Sequence, residues 1–324
     1  MFSRIMCAAL VPGLALALAL ATTGEASAHC FVGARFLPAT LTTDDPCVAD
    51  EMSLPTVTWN SANPSGHEND IGVDFAKRIT ENFGITVSST WTFVRPPAND
   101  ATFGTSASGF QNLETAFQYQ VLKDAQHEFA LLAGLVVEWG GTGAAGVGAE
   151  PWSTLQPTMY FGKGFGDLPD DFGIIRAFAV TGQVGYQVPT TSFDFTEQAL
   201  ISQNLAYGGS LQFSFPYLKS NVIDLGLPDF INHLIPIVEA QFLSPVSNNE
   251  GNPWITTGTV NPGVIWVGDY FQVGVEAIIP INRASGTNIG AIAQLHFYLD
   301  DIFPNSIGRP LIGSAPPPQK PFGD

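Results

Sequence analysis

Several short stretches of this chain hold residues whose type and spacing could do chemistry. His67-Glu68-Asn69-Asp70 gathers an imidazole and two carboxylates, enough for a weak cation site. The paired histidines of an H-E-x-x-H zinc helix are absent, and the stretch reads as a surface loop. Gly141-Thr142-Gly143-Ala144-Ala145-Gly146 matches G-x-G-x-x-G after a predicted strand. The Val147-Gly148-Ala149-Glu150-Pro151 that follows cannot open the helix a pyrophosphate would need, so this too reads as a flexible loop. His29 would become the first residue after cleavage at Ala28, and an amine beside an imidazole can chelate copper; no second histidine adjoins it, and no metal site is assigned. His296 is the residue a lipid hydrolase built on a barrel wall would use. No G-x-S-x-G elbow accompanies it, no Ser–His geometry follows from sequence, and it is expected to be a lumen residue. No catalytic residue and no cofactor is expected.

The elements that must position these residues begin after a leader. Arg4, an apolar run from Ile5 to Ala21 and Ala26-Ser27-Ala28 form a secretory signal with an A-x-A cleavage site over residues 1–28. The bulky His29 ahead of Cys30 argues against a lipid anchor there. Cys30 and Cys47 are then an even pair in an oxidising compartment, which predicts a disulfide, with two free thiols as the alternative. Beyond the signal no segment supplies the roughly 20 uninterrupted apolar residues of a spanning helix. Charged residues make up only 13% of the chain, while 33 Gly and abundant Gln, Asn, Ser and Thr stand where charges usually would. That mixture suits strands with one face in lipid and one in water. The net charge of −17 argues against nucleic-acid partners.

Runs of alternating residues recur along the chain. Ile85, Val87, Trp91 and Phe93 alternate with Thr86, Ser88, Thr90 and Thr92; Leu211, Phe213, Phe215 and Tyr217 oppose Ser210, Gln212 and Ser214. Twelve such runs are predicted, at 55–60, 71–80, 85–96, 110–123, 128–139, 154–165, 174–188, 203–217, 234–244, 256–267, 271–282 and 288–299. Tight turns alternate with longer Gly-, Ser-, Asn- and Pro-rich connections, as short periplasmic turns and long outer loops do in a barrel. The expected architecture is an all-β, antiparallel transmembrane barrel over 55–299. A periplasmic lead at 29–54 precedes it, and a Pro-rich tail at 300–324 follows. Trp59, Trp91, Trp139 and Trp152 fall near the outer interface. Leu218 to His233 is long for its side of the barrel; it either caps the periplasmic mouth, the favoured reading, or folds inward as a partial plug.

Parity assigns an inward face. Its acids are Asp74, Glu114, Glu128, Glu138, Glu239 and Glu276, its one base is Arg78, and its amides are Gln118, Gln120, Gln183, Gln212, Gln241, Gln272 and Gln294, with His296 beside them. A lumen lined by carboxylates favours cations; the alternative is a narrow interior filled by its own side chains.

The strand and turn Asp74-Phe75-Ala76-Lys77-Arg78-Ile79-Thr80-Glu81-Asn82-Phe83-Gly84, together with the terminal strand Ile289 to Leu299, resemble a family of bacterial outer-membrane barrels named for transport in the phenol-degradation meta pathway. The resemblance spans about residues 55–299. It implies uptake of hydrophobic or aromatic compounds, with the expected partners being outer-membrane lipids, a small-molecule solute and the barrel-assembly machinery. The chain departs from the usual pattern by running on for 25 residues beyond Leu299. A non-transporting structural or adhesive barrel, a secreted soluble β-sandwich with lectin-like binding and an outer-membrane lipid hydrolase are the rival readings.

Overall fold

A computed structural model describes residues 29–60, 66–95, 106–195, 198–251 and 253–313. The segment expected to be a signal, residues 1–28, and the end of the tail lie outside the described residues. The barrel strands are β1 (Glu51–Asn60), β2 (His67–Arg78), β3 (Phe83–Arg95), β4 (Leu113–Asp124), β5 (Phe129–Trp139) and β6 (Thr154–Gly164), then β7 (Phe178–Pro189), β8 (Gln203–Phe213), β9 (Leu234–Ser247), β10 (Thr257–Val267), β11 (Phe271–Pro280) and β12 (Gly290–Tyr298). Each pairs antiparallel with the strand before and after it. β12 pairs back onto β1, with Ala291 opposite Trp59 and Tyr298 opposite Glu51, so the twelve strands close on themselves. Ala107–Phe110, a thirteenth strand of the sheet, pairs with the outer half of β3 and shares a lane with β4; twelve lanes therefore surround the lumen.

Closure is what a lipid environment demands, since every backbone donor and acceptor at that depth must be paired within the protein. The side chains agree. Val57, Ile71, Phe75, Val87, Leu135, Phe161, Val184, Val238 and Val275 are exposed large apolar residues on the outer wall. Trp59, 62% exposed, and Trp139, 42% exposed, sit at the outer ends of β1 and β5, where amphipathic rings anchor a barrel.

Two stretches differ from expectation. His67-Glu68-Asn69-Asp70 forms the start of β2 and pairs with Arg95, Val94, Phe93 and Thr92, so it is strand and not loop. The run 203–217 ends as a strand at Phe213. Ser214 accepts a hydrogen bond from the Tyr217 amide and Pro216 occupies the first turn, so helix α1 (Phe215–Asn221) begins there. With α2 (Asp229–Asn232) it forms the long connection, whose Ile223, Leu225 and Phe230 are exposed.

The lower lumen is filled by residues 29–50. Phe31–Val32 and Arg35–Phe36 make a small two-stranded ladder, and Cys30 and Cys47 are joined by a disulfide. Phe31, Phe36 and Leu41 pack with Ile235, Ile237, Ile265, Val267, Ile278 and Ile292 in one buried cluster. The inner face of β9 to β12 is thus apolar at this level, contrary to a uniformly polar lumen. The apolar side chains there face the segment 29–50 instead of water.

Candidate functional site: an acidic vestibule above a plug

The plug is gripped by inward-facing residues on many strands. Glu239 on β9 accepts hydrogen bonds from the amides of Leu41 (2.8 Å), Thr42 (3.0 Å) and Thr43 (3.0 Å) and from the Thr43 hydroxyl (2.5 Å). Its oxygens are filled, and one turn of plug backbone is satisfied by one wall carboxylate. Gln272 donates to the Ala39 carbonyl at 2.5 Å and Gln120 to the Pro46 carbonyl at 3.0 Å. Wall glycines make room: a Cβ on Gly84 would overlap Val48, and one on Gly274 would overlap Leu41.

Arg35, fully buried, donates to Glu128 at 3.1 Å and to the carbonyls of Ala177 (3.1 Å) and Arg176 (2.5 Å), with its guanidinium 3.4 Å from the centre of the Tyr217 ring. The Tyr217 hydroxyl donates to the other oxygen of Glu128 at 2.6 Å. The plug is thereby tied to α1. Opposite, α3 (Leu299–Ile302) and the chain to residue 313 return over β2. Leu311 and Ile312 donate to the carbonyls of Arg78 and Ile79. Asp50 accepts from the Arg78 side chain at 2.7 Å and from Lys77. His29 lies against Asp300 and Asp301. Burial works to lower the pKa of the His29 imidazole, but these two carboxylates outweigh it and raise it to about 9.

Above the plug the lumen is open and acidic. A cavity of about 320 Å³ is floored by Asp44 and Asp45 of the plug and walled by Glu51, Asp74, Glu114 and His296. It shares Asp74, Ser88 and Glu114 with a wider space of about 470 Å³, which Glu68, Asp70 and Glu138 also line. Among the described residues, no lysine or arginine lines that upper space. Asp44 is pushed above the usual carboxylate range, first by enclosure within the barrel and then by the charges of Asp74, Glu51 and Glu239; its contact with lumen water moderates the effect.

The residues read as lumen-facing thus occupy different depths. Asp74, Glu114, Gln118, Gln294 and His296 line the lower cavity, and Glu138 lines the vestibule. Gln241, two residues beyond Glu239 on the same face of β9, is exposed. Gln120, Glu239 and Gln272 hold the plug. Glu276 and Gln212 are buried, the latter donating to Ser210 at 2.8 Å. Arg78 belongs to the ionic cluster at the mouth. Sequence reasoning missed Glu68 and Asp70, which continue the even-numbered inward face of β2 three and two steps beyond Asp74; assigning them to a loop hid that parity.

One arrangement has the outline of a nucleophilic site. His296 Nδ1 lies 2.9 Å from the Ser53 hydroxyl, and its Nε2 lies 2.9 Å from Glu51. Ser53 and Glu51 share the inner face of β1, and Ser53 is the cross-strand neighbour of His296. Acyl transfer also needs donors aimed at a developing oxyanion. The carboxylates of Asp44, Asp45, Asp74 and Glu114 around the same cavity oppose such charge.

No protein-family model and no curated protein sequence matches the chain. Solved structures do. The chain is similar to the KdgM porin (TM-score 0.45, 10% identity, covering 76% of this chain and 98% of that one). It is also similar to the NanC porin (0.45, 7%, 75% and 98%) and to outer membrane phospholipase A from Escherichia coli (0.38, 9%, 79% and 94%). These likenesses are of fold. Closure of the twelve strands and an apolar outer wall make this chain an antiparallel β-barrel built to span a membrane.

Proposed function

We propose that the barrel admits small neutral and cationic solutes from the outer face, and that the plug controls their passage inward. The observation that carries this reading is the convergence of Glu68, Asp70, Asp74, Glu114 and Glu138 on one vestibule. Carboxylates gathered on one low-dielectric wall, here that of β2, β4 and β5, concentrate cations and repel anions. Uncharged aromatic compounds, the class implied by the resemblance to the phenol-degradation barrels, meet no electrostatic barrier there, whereas carboxylated aromatics do. The filled lower lumen requires residues 29–50 to shift, at least locally, during passage.

Planar-bilayer recordings under a KCl gradient test the reading. Expected is stepwise conductance with a reversal potential of the sign for cation preference, together with faster vesicle entry of cationic and neutral solutes than of anions of equal size. Absence of current and flux, in the native protein and in Glu239→Ala alike, would leave a structural or adhesive barrel as the better account. Phospholipid hydrolysis lost in both Ser53→Ala and His296→Ala would establish the hydrolase reading instead.

A further inference from the structure

Asp300 is 4% exposed, and neither of its side-chain oxygens receives a hydrogen bond. His29 Nδ1 stands 3.2 Å from Oδ1 and Arg78 stands 3.6 Å from Oδ2, ion-pair contacts without a well-formed hydrogen bond. A buried carboxylate without a donor is costly, and native structures seldom leave one so. His29 is itself 2% exposed, its ring 4.1 Å from that of Tyr298, and the next residue is bonded by disulfide to Cys47. The backbone nitrogen of His29 is therefore fixed within a few bonds of a ring that already touches Asp300.

We propose that Asp300 is the binding site for the α-ammonium group released when the signal is cleaved after Ala28. The new terminus supplies the donors that Asp300 lacks. Processing and seating of the plug are then one event: hydrolysis of the Ala28–His29 peptide bond by water yields the Ala28 carboxylate and the His29 amine, and the protonated amine completes the ionic cluster at the mouth. The unprocessed chain carries a neutral amide at this position and cannot do so. The inference rests on cleavage at the A-x-A site and is independent of what the barrel conducts.

The test uses exported protein purified from membranes, with the first residue established by mass. An amine-selective acylating reagent at neutral pH reads access to the terminus. Expected is labelling of the His29 α-amine at least tenfold slower in the folded than in the unfolded protein, and restored to near the unfolded rate in Asp300→Asn. His29→Gln retains the amine and should retain the protection. Should Asp300→Asn fail to assemble, a variant with one serine inserted between Ala28 and His29 serves, since it displaces the charge while keeping the fold; its labelling is expected to be fast. The proposal is overturned by equal labelling of folded and unfolded protein, by a terminus other than His29, or by protection abolished with EDTA, which would assign the amine to a metal ion.

Discussion

Glu239 and Thr43 meet through two hydrogen bonds, one from the Thr43 amide and one from its hydroxyl, across 196 residues of sequence. With the Leu41 and Thr42 amides on the other oxygen, this wall carboxylate is what the turn of the plug is folded around. Hydrogen bonds to a charged acceptor contribute about 1.5–3 kcal/mol each, and buried amides left without one carry a penalty of similar size. Glu239→Ala is expected to lower unfolding stability in vesicles by at least about 3 kcal/mol. If the plug governs passage, the same variant also raises vesicle permeability. A variant with unchanged urea midpoint would show that the turn is held elsewhere.

Arg35 is a second point of attachment, and its loss has a different signature. Removing it leaves Glu128 buried beneath α1 with only Tyr217 and the Gly166 amide as donors. Breaking a buried pair from one side costs about 3–5 kcal/mol, whereas replacing both partners by apolar groups of similar volume is often far milder. Arg35→Met should therefore be markedly destabilised, and Arg35→Met with Glu128→Leu should recover much of the loss. Additive destabilisation in that double-mutant cycle would mean the two side chains do not interact.

The Cys30–Cys47 bond closes a short loop, with a separation of 17 residues. In the chain-entropy account such a loop is worth about 3 kcal/mol. Because the loop lies within the plug, reduction is expected to loosen residues 29–50 while β1 to β12 stay paired. Hydrogen exchange should show faster exchange at Val32 and Leu37 after reduction, with the amides of β5 and β6 unchanged. Uniform acceleration across the barrel would contradict a local role.

How much of this was legible in the sequence depends on the range of the contacts. The dyad pattern is local, so β5, β6 and β10 fall within one residue of their predicted bounds. Extending the same rule through Phe213, Phe215 and Tyr217 failed because a Ser cap and Pro216 override alternation there. The rule also sends apolar residues toward lipid, and Val238 and Val275 obey it, but Ile237 and Ile278 face the plug. Nothing local distinguishes these two groups except parity. That the lead before β1 packs into the barrel's end was readable, but its contacts were not: its partners Glu239, Gln272 and Asp300 are more than 190 residues away. Its long-range pairing leaves no period in the segment 29–50.

The ionic cluster at the mouth gives a pH dependence whose sign follows from His29. Its pKa rises from 6.5 to about 9 on folding, burial opposing the change and Asp300 and Asp301 imposing it. A folded-state pKa above the unfolded one means that the stabilisation is complete below about pH 6.5 and is lost as pH climbs through about 9. A rise of this size is worth at most about 3 kcal/mol, since each unit corresponds to about 1.4 kcal/mol. Urea midpoints between pH 6 and 10 should thus decline for the native protein across that window. His29→Gln, which lacks the imidazole charge and keeps the terminal amine, should start lower at pH 6 and decline less, so that the two curves converge near pH 10. Parallel curves would place the titrating group outside this cluster, and a native curve that rises with pH would mean that His29 is held neutral against its two carboxylates.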